Sequence, residues 1–189
     1  MIIGIIGELG IGKTLSGVKE AYKAYKSNLT VFSNHPLNFE HTKITHPDQF
    51  ECLKNGFVFV DELWHMLDSY NSNTEKAKFI TRILLRSRKK DIHLCYTEQY
   101  LKQVHKRIRR VTDIWIYPEI RGTYVSDKLQ IQHDFYMIQH FINNDGDEIT
   151  IKIIPKSNLL FYMSLYNTRD DPYTYDLFFQ KDKKEKQKN

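Results

Sequence analysis

The first quarter of the chain alternates a fully apolar segment with an amphipathic one. Isoleucine occupies four of the five positions from 2 to 6, a continuous run typical of a strand buried on both faces. Over residues 13–26 the apolar positions recur every three or four residues, which predicts a helix with one face toward a core. The core-facing positions of this helix are Leu15, Val18, Ala21, Tyr22 and Tyr25. This order of strand and helix is typical of an α/β fold with a parallel sheet.

The same patterns continue along the chain and change in character near Asp113. In the first part, apolar runs predict strands at residues 29–32, 57–60 and 92–97, and helical patterns predict helices at residues 48–53, 74–90 and 101–110. After Asp113 the chain is predicted to form strands and hairpins at residues 114–117, 123–125, 129–143, 148–154 and 158–165. We therefore predict a mostly parallel central sheet flanked by helices, with a β-rich insertion or annex at about residues 114–157.

Composition narrows the class of protein. A chain of 189 residues with 41% hydrophobic residues is long enough for one domain, which we place at residues 1–180. Residues 181–189 hold five lysines and two acids, a net charge of +3, and are predicted to be a basic disordered tail. No apolar stretch is long enough to span a membrane, and no basic segment precedes the first strand, so we expect neither a membrane partner nor a cleaved signal peptide. Cys52 and Cys95 are expected to be free thiols in the cytoplasm.

A phosphate-binding motif directly follows the first strand. Gly7, Gly12, Lys13 and Thr14 fit the pattern G-x-x-x-x-G-K-[ST], placed between a strand and a helix as that motif requires. Glycines let successive backbone N–H groups turn toward a phosphate chain, and the helix N-terminus adds partial positive charge. Lys13 is predicted to reach the β- and γ-phosphates and Thr14 to bind Mg²⁺. The residues predicted to hold the nucleotide are Gly7, Glu8, Leu9, Gly10, Ile11, Gly12, Lys13, Thr14 and Leu15.

Two acidic residues end the apolar run at 57–60. Ligands of open α/β sheets gather at the carboxyl ends of the strands, so Asp61 is placed to hold the Mg²⁺ shell. Glu62, one residue further, is predicted to polarise the attacking water. The sequence therefore indicates both halves of a site for ATP and Mg²⁺.

Polar residues after the next strand and two groups of arginines supply further candidates. Gln99, with Thr97 as second choice, is predicted to sense the γ-phosphate. Arginines close to a nucleotide site can stabilise transition-state charge in a neighbouring subunit or contact a nucleic-acid backbone. The candidates for such a finger are Arg86, Arg88, Arg107, Arg109 and Arg110.

Taken together, these motifs resemble the FtsK/HerA superfamily over about residues 1–113. Within it the chain is most similar to genome-packaging ATPases of archaeal icosahedral viruses, and Zot-like assembly proteins of filamentous phages share the pattern. The resemblance implies a RecA-like P-loop ATPase fold in which an extra strand separates the phosphate-loop strand from the strand ending in Asp61. It also implies a homo-oligomeric ring that translocates double-stranded DNA into a viral capsid, in the host cytoplasm.

Two other functions remain open from the sequence. A small-molecule kinase also pairs a phosphate loop with a basic lid, for which residues 107–110 would serve. A nucleotide-switched scaffold of virion or pilus assembly would use the same loop without moving DNA.

Overall fold

Eight strands form one sheet in a computed structural model that describes residues 1–64, 75, 78–79, 87, 89–124 and 132–167. The strands are β1 (Ile2–Ile6), β2 (Thr30–Ser33), β3 (Thr42–Lys43), β4 (Gly56–Val60), β5 (Ile92–Glu98), β6 (Ile114–Tyr124), β7 (Gln132–Asn143) and β8 (Glu148–Pro155). Their order across the sheet is β3-β2-β4-β5-β1-β6-β7-β8. The first six strands in this order run parallel, and β7 and β8 are antiparallel to their neighbours.

Strand β5 lies between β1 and β4, as the resemblance implied. Ile2 of β1 pairs with Leu94, and Val58 of β4 pairs with the same residue from the other side. All five residues of β1 and all five of β4 are buried, which explains their unbroken apolar sequences. The carboxyl ends of β1, β4 and β5 therefore meet at one edge of the sheet.

Helices and turns cover the two faces. Helix α1 (Lys13–Lys26) and helix α3 (Lys156–Met163) pack on one face with Val18, Phe59 and Leu159 among its buried residues. Two 3₁₀ turns (Pro47–Glu51 and Leu101–Gln103) and the short helix α2 (Lys106–Arg109) belong to the other side, where Phe50 and Ile108 are buried. The predicted α/β class with a mostly parallel central sheet is confirmed.

The β-rich part continues the central sheet. β6 pairs in parallel with β1, with Ile3 opposite Ile114, and β7 and β8 then extend the sheet beyond β6. Met137 of β7 comes so close to the phosphate loop that a Cβ added to Gly12 would lie 2.6 Å from its Cε atom. The C-terminal strands therefore support the loop from the side.

Three element predictions were wrong. Residues 114–117 and 123–125 were predicted as two strands, but the described part of both belongs to β6, because pairing with β7 continues from Ile114 to Gly122. Residues 158–165 were predicted as a strand, but they largely form α3, which ends at Met163. A short apolar run does not distinguish a buried strand from a helix by periodicity. Residues 101–110 were predicted as one helix, but Val104 is extended (φ −66°, ψ 124°) and separates the 3₁₀ turn from α2. Most of the predicted helix at 74–90 and the whole predicted tail lie outside the described residues.

Candidate functional site

The phosphate loop joins β1 to α1 in the conformation that the motif requires. Gly10 and Gly12 have φ of 80° and 92°, in the left-handed region that favours glycine. Gly12 is also the N-cap of α1 and offers no side chain to the first N–H groups of the helix. The Gly7 N–H donates to the Glu98 carbonyl at 3.2 Å, which ties the loop to the end of β5. The helix N-terminus thus presents free N–H groups to an anion.

Lys13 lies over the loop among three carboxylates. Its Nζ donates to the Glu8 carbonyl at 2.7 Å, and the residue is 7% exposed. Burial lowers the pKa of the Lys13 amine, while the negative charges of Glu62, Asp61 and Glu98 act in the opposite direction. A positive charge is therefore held where the loop would receive phosphates.

Thr14 and Asp61 form a pair of oxygen ligands suited to Mg²⁺. The Thr14 hydroxyl donates to the Asp61 carboxylate at 3.2 Å (Oδ1) and 3.0 Å (Oδ2). Mg²⁺ takes oxygen ligands and usually binds to one or two protein groups, substrate phosphates and water. The two residues predicted to bind metal are thus brought together from α1 and from the end of β4.

Asp61 is fixed by the ends of its two neighbouring strands. The Thr97 hydroxyl donates to Asp61 Oδ1 at 2.7 Å from β5. Asn34, which follows β2, holds the Asp61 backbone twice: its Oδ1 accepts from the Asp61 N–H at 2.7 Å and its Nδ2 donates to the Asp61 carbonyl at 2.8 Å. Both side chains are buried, so the position of the carboxylate is determined by packed structure.

His35 adds a further contact to the same carboxylate. Its Nδ1 is 3.6 Å from Asp61 Oδ2, and its ring packs edge-on against Tyr166 at 5.5 Å between centroids. The Ser33 hydroxyl donates to the His35 carbonyl at 2.8 Å and fixes this turn. Sequence analysis missed Asn34 and His35. The available signal was that polar residues end β2, which lies beside β4.

Glu62 has a backbone conformation that is unusual for a residue with a side chain. Its φ is 52°, and its N–H donates to the Thr97 hydroxyl at 2.7 Å. Such strain persists where surrounding contacts fix it, and it is frequent at functional sites. Thr97 therefore holds both predicted acids, one through its carboxylate and the other through its N–H.

Of the two candidates for the sensor, the structure places Thr97 in contact with Asp61 and Glu62. Gln99 follows the end of β5 and is half-buried, and its role stays a prediction. The signal that favoured it was position alone, because a polar residue just after a strand faces the same edge as the loop.

The candidate finger arginines are distributed over different places. Arg86 and Arg88 lie outside the described residues. Arg107 and Arg109 lie on α2, which Ile108 anchors in the core, and Arg110 follows it. The Arg110 carbonyl accepts from Asn144 Nδ2 at 3.4 Å, and Asn144 follows the residue that pairs with Ile114. The end of α2 is therefore at the sheet edge opposite the phosphate loop.

The loop, the acids at the end of β4 and the interposed β5 define a P-loop fold of the RecA-like type. Solved structures share this fold, and two examples illustrate the likeness. The N-terminal domain of zonular occludens toxin from Neisseria meningitidis has a TM-score of 0.55 and 17% identity, covering 88% of this chain and 98% of that one. The flagellar accessory protein FlaH from Methanocaldococcus jannaschii has a TM-score of 0.52 and 14% identity, covering 83% of this chain and 87% of that one.

These likenesses confirm the predicted fold and its similarity to Zot-like proteins. No family model and no curated protein matches the sequence. Among the described residues, no helix is long and apolar enough to cross a membrane.

Proposed function

We propose that this chain is an ATP-hydrolysing motor that translocates double-stranded DNA, as in packaging a viral genome into a capsid. The observation that supports hydrolysis is the convergence of Lys13, Thr14, Asp61 and Glu62 at one sheet edge. The resemblance to FtsK/HerA packaging ATPases supports the DNA substrate and a homo-oligomeric ring.

Each residue has a role in this proposal that follows from its placement. Lys13 binds the β- and γ-phosphates, and Thr14 and Asp61 hold Mg²⁺, which when bound neutralises charge on the phosphates. Glu62 polarises the attacking water. Thr97 and Asn34 keep the two acids in register with the loop.

Two substitutions test the hydrolytic part. Lys13→Ala should abolish ATP hydrolysis and weaken nucleotide binding, because the charge at the phosphates is lost. Glu62→Gln should still bind ATP but should not hydrolyse it, because only water polarisation is removed. Nucleotide binding and phosphate release are measured separately. No acceptor molecule is added, so a kinase would bind the nucleotide but release no phosphate. Hydrolysis by Glu62→Gln at the wild-type rate would contradict the role of Glu62.

A salt titration tests the DNA part. A motor that moves over any DNA sequence should contact phosphates and not base edges. The logarithm of its affinity for unrelated duplexes should then fall linearly with the logarithm of the salt concentration, with a slope of about −0.9 per neutralised phosphate. Lys102 and Lys106 are exposed in the basic segment 101–110. Replacing both with Gln should lower the slope by up to about 2 if each contacts a phosphate. Lys43 and Lys54, also exposed, serve as the matched control pair.

A nucleotide-switched assembly scaffold is the second candidate. The similarity to a protein described as a flagellar accessory protein favours it. Such a scaffold should hydrolyse ATP at a rate that DNA does not change. Hydrolysis stimulated by duplex DNA would instead favour the motor. The motor would be excluded if the protein did not bind DNA at low salt and its DNA affinity did not change with salt.

A further inference from the structure

A second positively charged concavity lies away from the phosphate loop. It is a cleft of about 390 Å³ between α1, β8 and α3. Three lysines line it, Lys19 and Lys23 from α1 and Lys152 from β8, together with Asn158 and Tyr162. We refer to it as the lysine cleft.

The lysine cleft has more positive than negative charge. Glu20 pairs with both Lys19 (3.0 Å) and Lys23 (2.8 Å). Lys152 packs its amine over the Phe141 ring at 4.7 Å, and no carboxylate of the described residues pairs with it. One carboxylate therefore faces three amines, which leaves the cleft short of negative charge.

Lys19 forms the buried wall of the cleft. It is 4% exposed, and its amine donates to the side-chain oxygen of Gln139. Burial lowers the pKa of Lys19 to about 8, and the positive charges of Lys23 and Lys152 act in the same direction against the opposing effect of Glu20. An anion in the cleft would relieve this repulsion.

The lysine cleft is distinct from the phosphate loop. Lys23 is ten residues beyond Lys13 on the same helix, about 15 Å along its axis at about 1.5 Å per residue. A chain of side chains nevertheless connects the two places. Gln139 Nε2 donates to the Ser16 hydroxyl at 2.7 Å, and that hydroxyl donates to the Gly12 carbonyl at 2.9 Å.

We infer that the lysine cleft is a second anion-binding site, which takes a phosphate group through Lys23, Lys152 and Lys19. The amines supply charge and hydrogen-bond donors, and Asn158 and Tyr162 supply polar side chains at the rim. Its volume suits a small phosphate or one phosphate of a nucleic-acid backbone. Both ligands present a negatively charged phosphate to the amines, and they differ in what is attached to that phosphate.

Lysine acylation tests this inference at residue level. The full-length protein is first given Mg²⁺ and a non-hydrolysable ATP analogue to fill the phosphate loop. It is then titrated with inorganic phosphate in one arm and with a short duplex DNA in the other. Mass spectrometry of peptides reports how fast Lys23, Lys152 and Lys26 react with an acylating reagent. We expect protection of Lys23 and Lys152 but not of Lys26, an exposed lysine one turn further along α1 that lines a different cleft.

Variants identify the cause of the protection. Lys152→Met should raise the ligand concentration that protects Lys23 by roughly tenfold or more, because a charge-assisted contact is lost. Lys23→Met, read at Lys152, repeats the test should the first variant fold poorly. Lys26→Met is the matched control and should change neither value.

The outcomes separate the alternatives. Protection by inorganic phosphate assigns the site to small phosphates, and protection by DNA alone assigns it to a nucleic-acid backbone. No protection in either arm overturns the inference, and so does an equal effect of Lys26→Met, which would reflect overall charge. ATP binding and ATP hydrolysis are measured in parallel on the same protein preparation without the analogue. Protection without hydrolysis would therefore reject the ATPase proposal and leave the lysine cleft standing.

Discussion

Removing the Thr97 hydroxyl should lower ATP hydrolysis more than its effect on stability explains. Thr97 is fully buried and makes two contacts in the site, to Asp61 Oδ1 and from the Glu62 N–H, both at 2.7 Å. Thr97→Val keeps the shape of the side chain and removes both contacts. The Asp61 carboxylate loses a donor, and the partly buried Glu62 N–H loses its acceptor.

The expected magnitudes follow from these two contacts. A hydrogen bond to a charged group contributes about 1.5–3 kcal/mol, and an orphaned buried donor costs about 1–3 kcal/mol. Since such terms are not additive, we expect Thr97→Val to lower the free energy of unfolding by about 2–4 kcal/mol. Groups that orient metal ligands typically change metal affinity or activity by about 10–100-fold, and we expect ATP hydrolysis to fall in that range.

Thr112→Val provides a matched control outside the site, in the segment between α2 and β6. Thr112 is 1% exposed, and its hydroxyl bonds to the Tyr96 hydroxyl at 2.8 Å and to the Ile108 carbonyl at 2.9 Å. Its substitution also removes two buried hydrogen bonds, but none in the site. Chemical denaturation and steady-state ATPase assays are run on both variants. If the two variants hydrolyse ATP equally well, Thr97 does not organise the site.

Two further perturbations test the buried polar contacts. Asn34→Ala should lower the free energy of unfolding by about 2–4 kcal/mol, because both backbone groups of Asp61 lose their partner. The control, Asn38→Ala, removes one exposed hydrogen bond to a backbone carbonyl and should cost at most about 1 kcal/mol in the same urea titration. The pKa of Lys19 in the folded chain, about 8, is below its usual 10.5, so the folded state releases this proton first and gains stability as pH rises from about 8 to 10.5. Relative to Lys19→Met, the wild-type protein should gain at most about 3 kcal/mol over that window. If the difference in free energy of unfolding between the wild type and Lys19→Met stays the same over this pH range, the lowered pKa of Lys19 is contradicted.

The C-terminal half shows where sequence patterns failed. The run 158–165 is apolar without a clear period, and its conformation is decided by packing of Leu159 against the face that α1 also covers. The segment 101–110 has a helical composition, but the chain must cross from the carboxyl end of β5 to the amino end of β6. The Asp113 N–H donates to the Ile2 carbonyl at that far edge, and the crossing interrupts the helix at Val104.

The sequence by itself determined the phosphate loop, β1, α1 and the acids that end β4. These features depend on local periodicity and on backbone geometries that few residue types adopt, such as the φ of 92° at Gly12. Only the tertiary structure decided which side chains surround Asp61. Asn34, His35 and Thr97 are distant from it in sequence, and they reach it because β2, β4 and β5 are neighbours in the sheet. The lysine cleft has the same origin, since strand pairing places β8 and α3 beside α1, and no local pattern records which distant strands pair.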